Sequence, residues 1–130
     1  MKMDHLVLLL GDLRASLPYY DTLLPLLGFT LTRPHDYVNE DGLHIDLQQA
    51  GDPAHAYARQ GVGLNHLGFT APDRGSLDRI REAMAARGFP APELQHLGRD
   101  VAMFMKDRDG IRLEITWYAP TATASCQESA

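Results

Sequence analysis

The amino-acid sequence runs through one pattern twice. His5 and His66 stand 61 residues apart, as do Asp12 and Asp73, while Gly28-Phe29 and Gly88-Phe89 stand 60 apart. Asp41-Gly42 and Asp109-Gly110 are separated by 68 residues, and so are Asp46 and Glu114. Offsets this steady mark a duplicated structural unit, with insertions confined to the connections. Each copy reads in the order strand, helix, strand, strand, strand. A duplicated chain of this kind must bury the apolar faces of both copies in one arrangement, or in two that are nearly alike.

The elements follow from local pattern. Met3 to Leu10 reads as a buried strand. Gly11-Asp12 is a turn signal, Ser16 is a candidate helix cap, and Pro18 is expected in the first turn. The helix carries Tyr19, Tyr20, Leu23, Leu24 and Leu27 and stops at Gly28, with Pro25 predicting a kink or an early end. Strands are expected at Phe29–Thr32 and Tyr37–Glu40, and a hairpin turn at Asp41-Gly42 leads into the alternating LHIDLQQ. In the second copy, LNHLGFTA is a strand and SLDRIREAMAARGF a helix, with Leu77, Ile80 and Met84 at helical spacing. Strands follow at Glu93–Leu97, Val101–Met105 and IRLEITWY. The stretch AGDPAHAYARQGVG, with its Gly and Pro punctuation, is the linker candidate. The expected division is a single domain over residues 1–130: module 1 at about 3–49, linker about 50–62, module 2 about 63–118, and a disordered tail at 119–130.

Composition narrows the function classes. The formal charge is −5 and no dense Lys/Arg cluster occurs, which disfavours nucleic acid as the main partner. The longest apolar run, Leu6 to Leu10, is too short to span a bilayer, and Asp4 and His5 interrupt any signal-peptide pattern. Cys126, the one cysteine, has no internal disulfide partner. The expectation is a cytoplasmic protein with no membrane partner.

Side chains alternate along a strand, and that alternation gathers the chemistry on one face. Leu43, Ile45 and Leu47 oppose His44, Asp46 and Gln48; Ile111, Leu113, Ile115 and Trp117 oppose Arg112, Glu114 and Thr116. A histidine opens both first strands and a carboxylate sits in the middle of both last strands. Burying an unpaired carboxylate is costly, so each needs a cation, a hydrogen-bond network or water. Two imidazoles and one or two carboxylates suit a divalent ion such as Zn²⁺, Ni²⁺, Fe²⁺ or Mn²⁺. The plainer alternative keeps His5 and His66 as strand histidines without a metal. His35, His55 and His96 read as surface or rim residues, and Asp107 and Asp109 as solvated turn residues. Arg112 either pairs with Glu114 or holds an anionic substrate.

The segments DHLVLLLGDL…SLPYYDTLLPLLGF, LNHLGFTAPD and DRDGIRLEITW together resemble the vicinal oxygen chelate superfamily over about residues 3–118. That superfamily includes glyoxalase I, extradiol dioxygenases, fosfomycin-resistance transferases and bleomycin-binding proteins. The resemblance implies an α+β fold of two tandem βαβββ modules forming an open, U-shaped sheet around a metal or ligand cavity. It implies a divalent metal held by His5, His66 and Glu114. Asp46 falls at the fourth ligand position, where four-ligand relatives usually carry glutamate. Glu114 and Asp46 are the implied catalytic carboxylates, and His44, Phe104 and Arg112 the pocket residues. A homodimer acting on a small-molecule substrate is likewise implied.

Three functions remain open on this basis. One is a metal-dependent lyase or isomerase of glyoxalase type, using all four ligands. Another is dioxygenase chemistry, which needs only His5, His66 and Glu114. A fosfomycin-type thiol transferase shares those three, but Val7 stands where such enzymes carry a polar residue. The third, from a different class, is a non-catalytic bleomycin-resistance-like binding protein, its pocket furnished by Met103, Phe104, Met105, Trp117 and Tyr118.

Overall fold

In the computed structural model residues 1–90 and 92–121 are described; Cys126 and the tail beyond residue 121 lie outside them. The element order is β1 (His5–Leu10), α1 (Leu13–Leu26), β2 (Thr30–Arg33), β3 (Asp36–Val38), β4 (His44–Gln49), β5 (Leu67–Thr70), α2 (Gly75–Ala86), β6 (Leu94–Leu97), β7 (Asp100–Lys106) and β8 (Arg112–Trp117). This is two βαβββ modules in tandem. Each builds a four-stranded sheet, in the orders β1-β4-β3-β2 and β5-β8-β7-β6. β1 runs parallel to β4 and β5 parallel to β8, because a helical crossover separates each first strand from its neighbour.

One face of each sheet is packed by its helix. Leu8, Leu10, Ile45 and Leu47 meet Tyr20, Leu23 and Leu24 of α1; Leu113, Ile115 and Met103 belong to the same core as Leu77, Ile80 and Met84 of α2. The helical spacing of those apolar residues is what turns them all to one side. Gly28 and Gly88 take left-handed φ angles of 89° and 85°, which stops each helix where the sequence places the stop.

The start of α1 differs from the expected cap. Asp12, in extended conformation, accepts a hydrogen bond from the Ala15 backbone N–H, while Ser16 lies buried inside the helix. A carboxylate at Asp12 reaches an N–H that the first turn leaves unpaired, so the helix begins earlier than the serine suggests. Pro18 is consequently well inside the helix rather than in its first turn, and Pro25 is its penultimate residue. Replacing Asp12 with Ala is expected to cost about 1 kcal/mol of stability, read by urea unfolding. An unchanged midpoint would show that the cap contributes nothing.

The turns before the last strands repeat atom for atom. Asn39 Oδ1 accepts from the N–H groups of Asp41 and Leu43. Asp107 Oδ1 accepts from those of Asp109 and Ile111, 68 residues on. Asp107 is therefore not solvated as expected: it is 7% exposed, and its second oxygen accepts the Tyr20 hydroxyl of α1 at 2.5 Å. Asp109 Oδ2 accepts the Gly11 N–H at 3.1 Å, so the turn of the second module ties onto the first.

Candidate functional site

The outer face of each sheet carries the predicted chemistry, and cross-strand register places the residues in rows. In the second module Gly68 lies opposite Glu114, and Glu114 opposite Phe104; Arg112 lies opposite Lys106. In the first, Val7 lies opposite Asp46 and Asp46 opposite Asp36; His5 lies opposite His44, and His44 opposite Val38. Asp46 and Glu114, His44 and Arg112, Asp36 and Phe104, and Val38 and Lys106 are thus equivalent positions of the two modules.

The second module brings two predicted ligands together. His66 Nε2 lies 3.0 Å from Glu114 Oε2. The other ring nitrogen, Nδ1, is 2.6 Å from Asn65 Oδ1, and Asn65 Nδ2 donates to the Arg59 carbonyl. That second bond fixes which end of the amide is oxygen, so Nδ1 of His66 must be the donor. Nε2 then faces a carboxylate oxygen either with a second proton or with a lone pair that needs a cation between the two. Glu114 is held in turn: its Oε1 accepts the Thr116 hydroxyl at 2.9 Å, leaving Oε2 for His66.

The first module repeats this support more loosely. His5 Nδ1 is 2.7 Å from Asp4 Oδ2, the same use of the preceding residue. The hydrogen bond from His5, aided by the nearby His44 and Lys2, holds the exposed Asp4 carboxyl below its usual range. Asp46 Oδ2 accepts from Gln48 Nε2 at 2.7 Å, as Glu114 accepts from Thr116 two residues on. Among the described residues no ion pair joins His5 to Asp46, and no three His, Cys, Asp or Glu side chains converge closely enough to hold a metal ion. One pair of the predicted four is thus assembled within the chain.

The pocket residues divide. His44 is half-buried, its Nδ1 3.1 Å from Oδ1 of Asp36, which is 3% exposed and also takes Arg33 Nε at 3.0 Å. Burial works to raise the Asp36 carboxyl, but the hydrogen bonds from His44 and Arg33 outweigh it and hold it below its usual range. Phe104 and Arg112 lie beside Glu114, with the Arg112 guanidinium carbon 4.5 Å above the Phe104 ring. Met103 and Met105 face the core instead, because alternation turns them away from Phe104. His55 and His96 are exposed, and His35 lies in the β2–β3 turn. A cavity of about 600 Å³ between the end of α1, the β3–β4 turn and β5 reaches Gly68 and Thr70 but none of the four predicted ligands. Asp4, Asn65, Asp36 and Lys106 are the contributors that residue type alone did not single out. The first two were signalled by standing directly before His5 and His66.

The model of one protein family matches residues 2–115. The chain belongs to the Glyoxalase/Bleomycin resistance protein/Dioxygenase superfamily. It is 29% identical over 123 residues to the uncharacterized protein YqjT of Bacillus subtilis (strain 168), covering 87% of this chain and 96% of that one. Among solved structures it resembles the glyoxylase/bleomycin resistance protein/dioxygenase domain from Frankia sp. EAN1pec, at 23% identity and a TM-score of 0.76 over 97% of this chain and 98% of that chain. It also resembles the lactoylglutathione lyase from Agrobacterium tumefaciens, at 19% identity and a TM-score of 0.64, covering 90% of this chain and 92% of the other. The superfamily fold expected from the sequence is the fold observed. No helix among the described residues is long and apolar enough to cross a membrane.

Proposed function

We propose that this chain is a metal-dependent enzyme of the superfamily, with lyase, isomerase or dioxygenase chemistry on a small substrate that offers two adjacent oxygens. The observation that carries the reading is the His66–Glu114 pair: an imidazole nitrogen facing a carboxylate oxygen, with Nδ1 of the same ring already committed to Asn65. His, His and carboxylate donors fit a divalent transition ion. His66 and Glu114 would hold it from one module, His5 and Asp46 from another. When bound, the ion supplies Lewis-acid polarisation of the substrate oxygens.

The chain's own residues prepare that role. Asp4 and Asn65 keep Nδ1–H of each histidine engaged, which leaves Nε2 as the nitrogen that would face the ion. Thr116 and Gln48 each fix one oxygen of the neighbouring carboxylate. Because no three ligands converge among the described residues, we assign the complete site to two copies, each lending a half. Val7 and Leu9, 46% and 54% exposed on the His5 face, supply the apolar surface that a second copy would cover. The carboxylate left beside the substrate, Glu114 or Asp46, would take or return a proton.

Metal analysis tests the reading. Wild-type protein, stripped with chelator and reloaded, is expected to retain about one divalent ion per chain, as a mononuclear site of this donor type would. His66→Ala and Glu114→Ala should retain almost none. No bound metal after reloading would sink the enzyme and leave the non-catalytic binding protein as the function. Retained affinity in Asp46→Ala would indicate a three-ligand site of the dioxygenase type.

A further inference from the structure

The two modules treat three pairs of equivalent positions in opposite ways. In the first, His44 meets a buried carboxylate, Asp36, which lies two residues along β3 from Val38, the direct cross-strand partner of His44. In the second, the equivalents are Arg112, Phe104 and Lys106. The carboxylate has become an aromatic ring and the valine has become a second cation. Arg112 and Lys106 are direct cross-strand partners on one face, an arrangement of like charges that destabilises a sheet unless something neutralises it.

Nothing within the described chain does so. Neither side chain takes part in an ion pair there, and Nε of Arg112 is buried with no hydrogen-bond partner. The nearest carboxylate along the strand, Glu114, is engaged by His66 and Thr116. The guanidinium is nonetheless held in place, stacked over Phe104. An oriented guanidinium beside an ammonium is the pairing that recognises carboxylate or phosphate, the first through its planar fork and the second as a point charge.

We infer that Arg112 and Lys106 form an anion clamp for the substrate, which is therefore a small acid carrying a carboxylate or phosphate group. The inference rests on the proposal that the His66–Glu114 face is the site. Gly68, opposite Glu114 in the row, leaves open space where a side chain would stand, so an anion seated on Arg112 has room to extend its remaining atoms across that row.

Calorimetric titration with inorganic phosphate and with benzoate, at constant ionic strength balanced by chloride, tests the clamp. Chelator-treated and metal-loaded wild-type protein are each titrated. Saturable binding of one of the two anions is expected, and the one that binds identifies phosphate or carboxylate as the group. Arg112→Gln should weaken it by about tenfold or more, and Lys106→Gln by about threefold to tenfold, as loss of charge-assisted hydrogen bonds would. Arg87→Gln, exposed at the far end of α2, should bind as wild type does. Absence of saturable binding, or wild-type binding by both clamp variants, overturns the proposal. Should Arg112→Gln lose its folding transition, the exposed Lys106→Gln decides alone. Anion binding that survives in chelator-treated protein and falls with Arg112→Gln upholds the clamp even where no metal binds. Metal retention without anion binding defeats the clamp and leaves the metal site standing.

Discussion

Tyr20→Phe is expected to lower the unfolding free energy by about 1–3 kcal/mol, the cost of leaving a buried acceptor without its partner. The phenol donates to Asp107 Oδ2, and Asp107 is almost wholly buried. Its other oxygen is occupied by two backbone N–H groups of its own turn, so no neighbour is free to replace the hydroxyl. The effect has a pH signature. Burial, joined by the charge of Asp109, raises the Asp107 carboxyl above its ordinary value of 3.8 against the hydrogen bonds that lower it. A carboxyl raised on folding favours the folded state when protonated. Its stabilising contribution is full below the unfolded value and is lost as pH rises through the folded one. Without the Tyr20 hydrogen bond the folded value climbs further, so the variant's deficit should be largest well above the folded value and narrow as pH falls through it. Urea unfolding of wild type and variant across that range reads the difference. A deficit that stays constant with pH would mean that Asp107 does not change its charge there.

That contact also marks where sequence reasoning stops. The repeat offsets made the two modules legible, because they rest on strand alternation, helix spacing and turn glycines, all of which act over a few residues. The pairing of His66 with Glu114 was legible for the same reason: His66 stands directly before β5, and Glu114 holds an alternation-defined position on the neighbouring β8. Asp107 was not. In the string KDRDG it reads as one more polar turn residue, and only tertiary packing brings Tyr20 of the other module against it. Ser16 misled in the opposite sense, since a serine looks like a cap until Asp12 is seen to have taken the N–H first. The clamp residues fall between these cases. Arg112 was visible as a charged residue beside Glu114, but its partner Lys106 emerges only once the β7–β8 register is known.

Mixing two metal-deficient variants is expected to rebuild the site. His5→Ala damages the half contributed by the first module, and Glu114→Ala the half contributed by the second. Each alone should weaken metal binding by about 100-fold or more, beyond the roughly 10–100-fold typical of losing a residue that only orients a ligand. In a dimer whose sites each combine halves from two chains, a mixed dimer places both lesions in one site and leaves the other whole. Random reassortment makes about half of the dimers mixed, so roughly a quarter of all sites should recover high-affinity binding. A site built within each chain predicts none, since every chain would carry a lesion. The measurement is tight-binding metal stoichiometry after the variants are co-refolded in equal amounts, with each variant refolded alone as reference. Recovery would also explain the chain's asymmetry of support. The well-held His66–Glu114 pair would fix the ion's position, and the shorter Asp46, reaching in from the partner beside His5, would complete the shell.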